Sequence, residues 1–266
     1  ELRSARQQRF RSVGSLARLC QPISQKIEKP AECRTPAGQS VKQLVYNTVL
    51  GSWQISKWSF AMSETFEKKL SANPKTIAGY FHKLMQDWDE REVVELRFLD
   101  ETRKPKNYRF ETSQILKATN CVVEMNNRGL NAYAVVHPVL RQTPVSAKDA
   151  DIKRAFFAYV DADEKGAADR VRESKLFIPE MEVVTGTKPF LRNHMYFRFD
   201  EPMTDMLRWS ELQKCLIKEF GTDTAIHNPS RLMRIAGSVA YPSASKLKRH
   251  YRAEVTKLLI GGNYVE

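Results

Sequence analysis

The chain has few cysteines, no long apolar run and no nucleotide-binding glycine loop. Its four cysteines, Cys20, Cys33, Cys121 and Cys215, include no Cys-x-x-Cys pair, which argues against a zinc site and leaves the free thiols of a cytoplasmic protein as the expectation. No apolar stretch approaches the length of a membrane span and no secretory-signal pattern is present, so no membrane partner is expected. There is no G-x-G-x-x-G turn and no Walker lysine loop, so dinucleotide and ATPase readings lack support. No internal repeat is found. What remains, at 266 residues with 42% hydrophobic and 28% charged residues, suits a globular protein with a real core.

Acidic residues are also in the minority. With 43 Lys and Arg against 31 Asp and Glu, the net charge is +12, which favours an acidic partner such as nucleic acid. The excess is uneven: residues 1–61 carry ten basic and three acidic residues, a net +7, leaving +5 to the rest. Those residues are rich in Arg, Ser, Gln and Pro with weak periodicity. They read as a basic accessory or flexible segment, and a folded domain is expected over residues 62–266.

Within that domain the pattern is an α/β (α+β) mixture with hairpins. Asn73 can cap a helix opened by Pro74, with Ile77, Phe81, Leu84 and Trp88 on one face. Strands are expected over Val93–Leu99, Asn107–Phe110 and Ala132–Val136, with a short helix over Ser113–Thr119 and a turn at Asn126–Gly129. Further on, a helix is expected near Ala167–Leu176, strands over Glu182–Val184 and His194–Phe199 around a turn at Thr185–Thr187, a helix capped by Thr204 and stopped at Gly221, and a last strand over Tyr251–Leu259.

Three segments carry chemistry. In the first, six apolar or aromatic residues, Ala155 to Val160, run straight into Asp161 and Asp163. Alternate strand residues share a face, so these two carboxylates do. Like charges held that close repel, and a hard divalent cation such as Mg²⁺ relieves the repulsion. An isolated Asp-x-Asp is also what an acidic turn after a buried strand looks like. In the second, Arg192 to Pro202, residues Met195, Phe197 and Phe199 form one face and His194, Tyr196, Arg198 and Asp200 the other, a strand with one side on a core and one side open. The third, Asp223 to Ser238, contains another acid, an Asn228-Pro229 turn, then Arg231 and Arg234, whose forks suit surface ion pairs or phosphates.

In this order, the motifs resemble the archaeo-eukaryotic primase superfamily, most closely its RepB-like primase and primase-polymerase branch of plasmids and phages. Gly129–Pro138 and Val184–Pro189 fit the same branch, and the resemblance runs from about Asn126 to about Leu258. Two positions depart from it: Arg192 stands where much of the superfamily has Ser, and Ala236-Gly237 where Pro-Gly is common. The resemblance implies a two-layer catalytic domain with an RRM-like mixed sheet bearing a metal site. It implies template-directed nucleotidyl transfer from nucleoside triphosphates on single-stranded DNA, as in plasmid or phage replication. Asp161, Asp163 and Asp223 would hold two Mg²⁺ or Mn²⁺ ions; His194, Arg234, Arg231 and Lys188 would bind the triphosphate. A helicase domain or other replication proteins would be partners. The competing expectations are a non-catalytic RRM-like nucleic-acid-binding replication module, and a metal-dependent nuclease or phosphatase using the same acids.

Overall fold

The computed structural model describes residues 70–100, 105–144, 146–174 and 177–265; the expectations for residues 1–61 and for a domain start at Met62 lie outside them. Helix α1 (Pro74–Leu84) starts where expected: the Asn73 side chain accepts from the Thr76 N–H and Pro74 holds the first helical position. Ile77, Tyr80, Phe81 and Leu84 are buried, and Trp88 reaches the core from beyond the helix end. Strands β1 (Glu92–Leu99) and β2 (Lys106–Glu111) form the expected antiparallel hairpin. Helix α2 (Ile115–Asn127) is longer than predicted and absorbs the start of the turn expected at Asn126. The Asn126 amide, fully buried, donates to the Leu130 and Val239 carbonyls and accepts from the Val239 N–H. These tertiary bonds outweigh the turn preference of Asn.

Among the described residues the strands make two five-stranded sheets and a small ribbon. The first sheet has the order β2-β1-β3-β8, with β3 at Asn131–Val135, β8 at Leu232–Arg234 and β4 (Val139–Leu140) also on β1. The second has the order β12-β11-β6-β7-β5: β5 is Ala155–Ala162, β6 Met181–Gly186, β7 Arg192–Met203, β11 Lys257–Ile260 and β12 Asn263–Val265. The ribbon pairs β9 (Val239–Ala240) with β10 (Glu254–Val255). The strand expected over Tyr251–Leu259 is thus two strands. Between them, the Thr256 hydroxyl donates to the Ile235 and Ser238 carbonyls and turns the chain from the ribbon into the second sheet.

The α+β class holds, but the expected mixed sheet is antiparallel in every described ladder. The cause is the connection through helix α3 (Ala167–Glu173). Strands β5 and β6, on either side of it in sequence, run the same way, but β7 inserts between them and pairs with both. That central place also buries both faces of β7. Tyr196, expected on an open face, is fully buried against Phe157 and Tyr159, while Phe197 on the opposite face packs on Phe177 and Phe220. Helix α4 (Met206–Phe220) is capped by Asp205, one residue later than predicted, and ends at Gly221 in the left-handed conformation. Gly237, at φ +80°, lies where a Cβ would press on the Asn73 carbonyl and Ile77, so the start of α1 packs directly onto this turn.

Candidate active site

Asp161 and His194 face each other across the β5–β7 ladder as register partners, with His194 Nε2 3.7 Å from Asp161 Oδ1. Strand β5 ends at Ala162, so Asp163 sits one residue past it. Asp223 arrives by a different route. Strand β5 is the sheet edge, and α4 covers its open backbone. The Gln213 amide accepts from the Tyr159 N–H and donates to the Tyr159 carbonyl, while the Trp209 indole N–H donates to the Phe157 carbonyl at 2.9 Å. After Gly221 the chain follows the same edge, and the Asp223 N–H donates to the Asp161 carbonyl at 3.3 Å. Asp223 therefore meets Asp161 and Asp163, from a distant segment of the sequence, at one strand end.

Cations surround them. Lys246 Nζ is 3.8 Å from Asp163 and Arg231 is 3.9 Å from Asp223. Arg234 is held on the first sheet, donating to Asn131 at 2.6 Å and to the Tyr133 hydroxyl at 2.9 Å. The loop bearing Asp223 and Arg231 is pinned by Asp149, whose carboxylate accepts from the Asn228 amide and from the Ser230 N–H and hydroxyl, and by the Tyr159 hydroxyl on the Asn228 carbonyl. Lys188 stands apart: its side chain is exposed in the β6–β7 loop, and its backbone N–H donates to Glu254. Arg192, at the position where the resemblance expects Ser, is buried. Its guanidinium stacks 4.4 Å from the Tyr251 ring centre, donates to the Lys188 carbonyl, and occupies the space a Cβ at residue 186 would need, so a larger residue there would have to displace it.

The electrostatics follow from this crowding. Burial, then Asp163 and Asp223, push the Asp161 carboxyl up to about 7, although a fifth of the side chain meets solvent. Burial, then Arg234, Arg231, Lys246 and Arg192, push His194 down to about 3, so it is neutral and available as a hydrogen-bond donor. Among the described residues, no three His, Cys, Asp or Glu side chains already surround a common ion position; Asp163 and Asp223 turn instead toward Lys246 and Arg231. The donor chemistry still fits a hard divalent cation. Burial first, and then repulsion from Asp163 and Asp223, raise the Asp161 carboxyl, and carboxylate oxygens are what such an ion takes.

Neither a family model nor a curated protein matches this sequence. Solved structures do. The AEP domain (PP-N190) of the cyanophage S-2L primase-polymerase superposes with a TM-score of 0.51 at 24% identity, over 73% of this chain and 94% of that one. The fold is like that of this AEP domain. Two structures of primase RepB′ are also similar. One has a TM-score of 0.49 at 17% identity, over 73% of this chain and 59% of that one; the other, its catalytic domain in complex with initiator DNA, has 0.45 at 16%, over 72% and 88%.

On this fold the structure groups Asp161, Asp163, Asp223, His194 and Arg231 around one strand end, sets Arg234 within electrostatic reach of His194, and leaves Lys188 apart on the exposed β6–β7 loop. Sequence reading missed Lys246, Asp149 and the buried role of Arg192. Nothing in the local pattern marks Lys246 or Asp149, because each meets the site only through folding. The one legible signal was the departure at Arg192 itself.

Proposed function

We propose that the chain is a DNA primase or polymerase that transfers nucleotides from nucleoside triphosphates onto a strand paired with a single-stranded DNA template. The convergence of three carboxylates with a neutral histidine and a ring of cations at the end of β5 is the observation that carries this reading. Asp161, Asp163 and Asp223 would hold Mg²⁺ or Mn²⁺, which supplies charge neutralisation at the attacking and leaving oxygens. His194 donates a ring N–H to a phosphate oxygen. Arg231, Arg234 and Lys246 offset the negative charge that builds on the triphosphate, and Lys188 would reach it only from the β6–β7 loop. On binding, Lys246 and Arg231 exchange their carboxylates for phosphates. Asp149 keeps Arg231 and Asp223 in register through the Asn228–Ser230 turn.

The test is incubation with a primed single-stranded template, nucleotides and Mg²⁺ or Mn²⁺. Products longer than the primer support the reading; shorter products mean a nuclease, and unchanged substrate means a binding module. Asp161→Ala with Asp163→Ala is expected to abolish incorporation while leaving the metal-free fold as stable or more so. Metal-dependent synthesis persisting in the double variant would falsify the site.

A further inference from the structure

Lys246 opens a run, Lys246-Leu-Lys-Arg-His-Tyr-Arg252, whose other cations the chemistry above does not use. The run is a built turn. Ser243 caps the short helix α5 (Ala244–Leu247), the Arg249 and Tyr251 N–H groups donate to the Lys246 carbonyl, and the His250 N–H donates to the Leu247 carbonyl. Tyr251 anchors it, 6% exposed, with Arg192 at 4.4 Å, Arg249 at 5.2 Å and Lys246 at 5.3 Å from its ring centre. Such cation–aromatic contacts hold the cations in place without neutralising them. Lys248, Arg249, His250 and Arg252 are exposed, and none of Lys248, Arg249 and Arg252 forms an ion pair among the described residues. A solvated charge run needs no such scaffold. This one is ordered, of one sign, and joined to the acid cluster through the Lys246–Asp163 contact.

We infer that this turn binds the phosphodiester backbone of the single strand beside the acid cluster, with Lys248, Arg249 and Arg252 neutralising phosphates. The repeated, evenly charged backbone of a strand matches several cations spread along a turn. A lone triphosphate is already served by Lys246, Arg231 and Arg234. The identity of the strand as a DNA template rests on the reading under Proposed function; the surface itself does not.

The experiment uses the full chain with a labelled oligothymidine, titrated by fluorescence anisotropy over a salt series in chelator, so that no turnover enters. Each phosphate contact on a single strand contributes about 0.7 to the slope of log affinity against log salt. The variant Lys248→Gln/Arg249→Gln/Arg252→Gln is expected to lose about 2 from that slope, with an unchanged affinity for a labelled nucleotide and an unchanged melting curve. The charge-keeping variant Arg249→Lys/Arg252→Lys is expected to keep the slope. An unaltered slope in the neutral variant overturns the inference. So does a nucleotide affinity that falls in step with strand affinity, which would make the turn a triphosphate site. Because binding is read without turnover, failure here leaves the transferase reading standing, and an inactive transferase leaves this one standing.

Discussion

Asp161 carries an electrostatic cost that the folded chain tolerates. Its carboxyl is raised from 3.8 to about 7, so the folded protein holds a proton that the unfolded chain has released. The stability this group contributes is full below about pH 3.8 and is lost as the pH rises through about 7. Asp161→Asn removes the charge and is expected to stabilise the protein at pH 8 in chelator by about 1–3 kcal/mol, allowing for partial exposure. Adding Mg²⁺ is expected to raise the melting temperature of the unaltered chain and to leave that of Asp161→Asn nearly unmoved, since only a bound ion shifts the equilibrium. Calorimetry in both conditions decides it; an Asn variant less stable in chelator would show that the carboxylates do not repel. Asp161, Asp163 and His194 were legible as residues because strand alternation places them. Their protonation was not, because burial and the approach of Asp223, Arg231 and Lys246 come from distant segments.

Helix α4 links packing to chemistry. Its buried stripe of Leu212, Leu216 and Phe220 could be read from spacing alone, and Gly221 as its stop. Leu207, apolar in the same helix, is 82% exposed, and the anchors are Trp209 and Gln213. Periodicity counts apolar residues and is blind to a glutamine whose amide saturates a strand edge. Gln213→Leu keeps the size but leaves the Tyr159 N–H and carbonyl and the Ile226 carbonyl without this partner. The expected loss is about 2–4 kcal/mol by urea denaturation. Nucleotide incorporation, measured where the variant is still folded, is expected to fall as well, because the same edge carries Asp223 to Asp161. Full activity in a destabilised variant would separate the edge from the site. The longer α2 and the split last strand were illegible for a related reason: Asn126 and Thr256 are shaped by hydrogen bonds to residues far away in sequence.

At the scale of the whole molecule, two buried histidines set the response to acid. Burial pushes both His137 and His194 to about 3, and among the described residues neither ring nitrogen of His137 has a hydrogen-bond partner. Below about pH 6.5 the unfolded chain takes up two protons that the folded chain refuses, while folded Asp161 regains one. From these three groups the net difference near pH 5 is one proton, so their contribution to stability is expected to fall by about 1.4 kcal/mol per pH unit of acidification there. His137→Phe is expected to flatten that slope; an unchanged slope would assign the acid response to other groups. The basic segment before the described residues belongs to this scale too. A chain begun at Met62 is expected to extend a primer and to bind single strands with a shallower salt slope; a folded but inactive product would misplace the boundary.

The route by which Asp223 reaches the other acids also bears on synthesis of the protein itself. Asp163 leaves the ribosome 60 positions ahead of Asp223, and the two acids meet only after α4 has docked along β5. A nascent or half-folded chain therefore exposes two carboxylates and lacks the third. On the proposed reading, a chain in which α4 has not docked along β5 would lack the third carboxylate and could not transfer nucleotides.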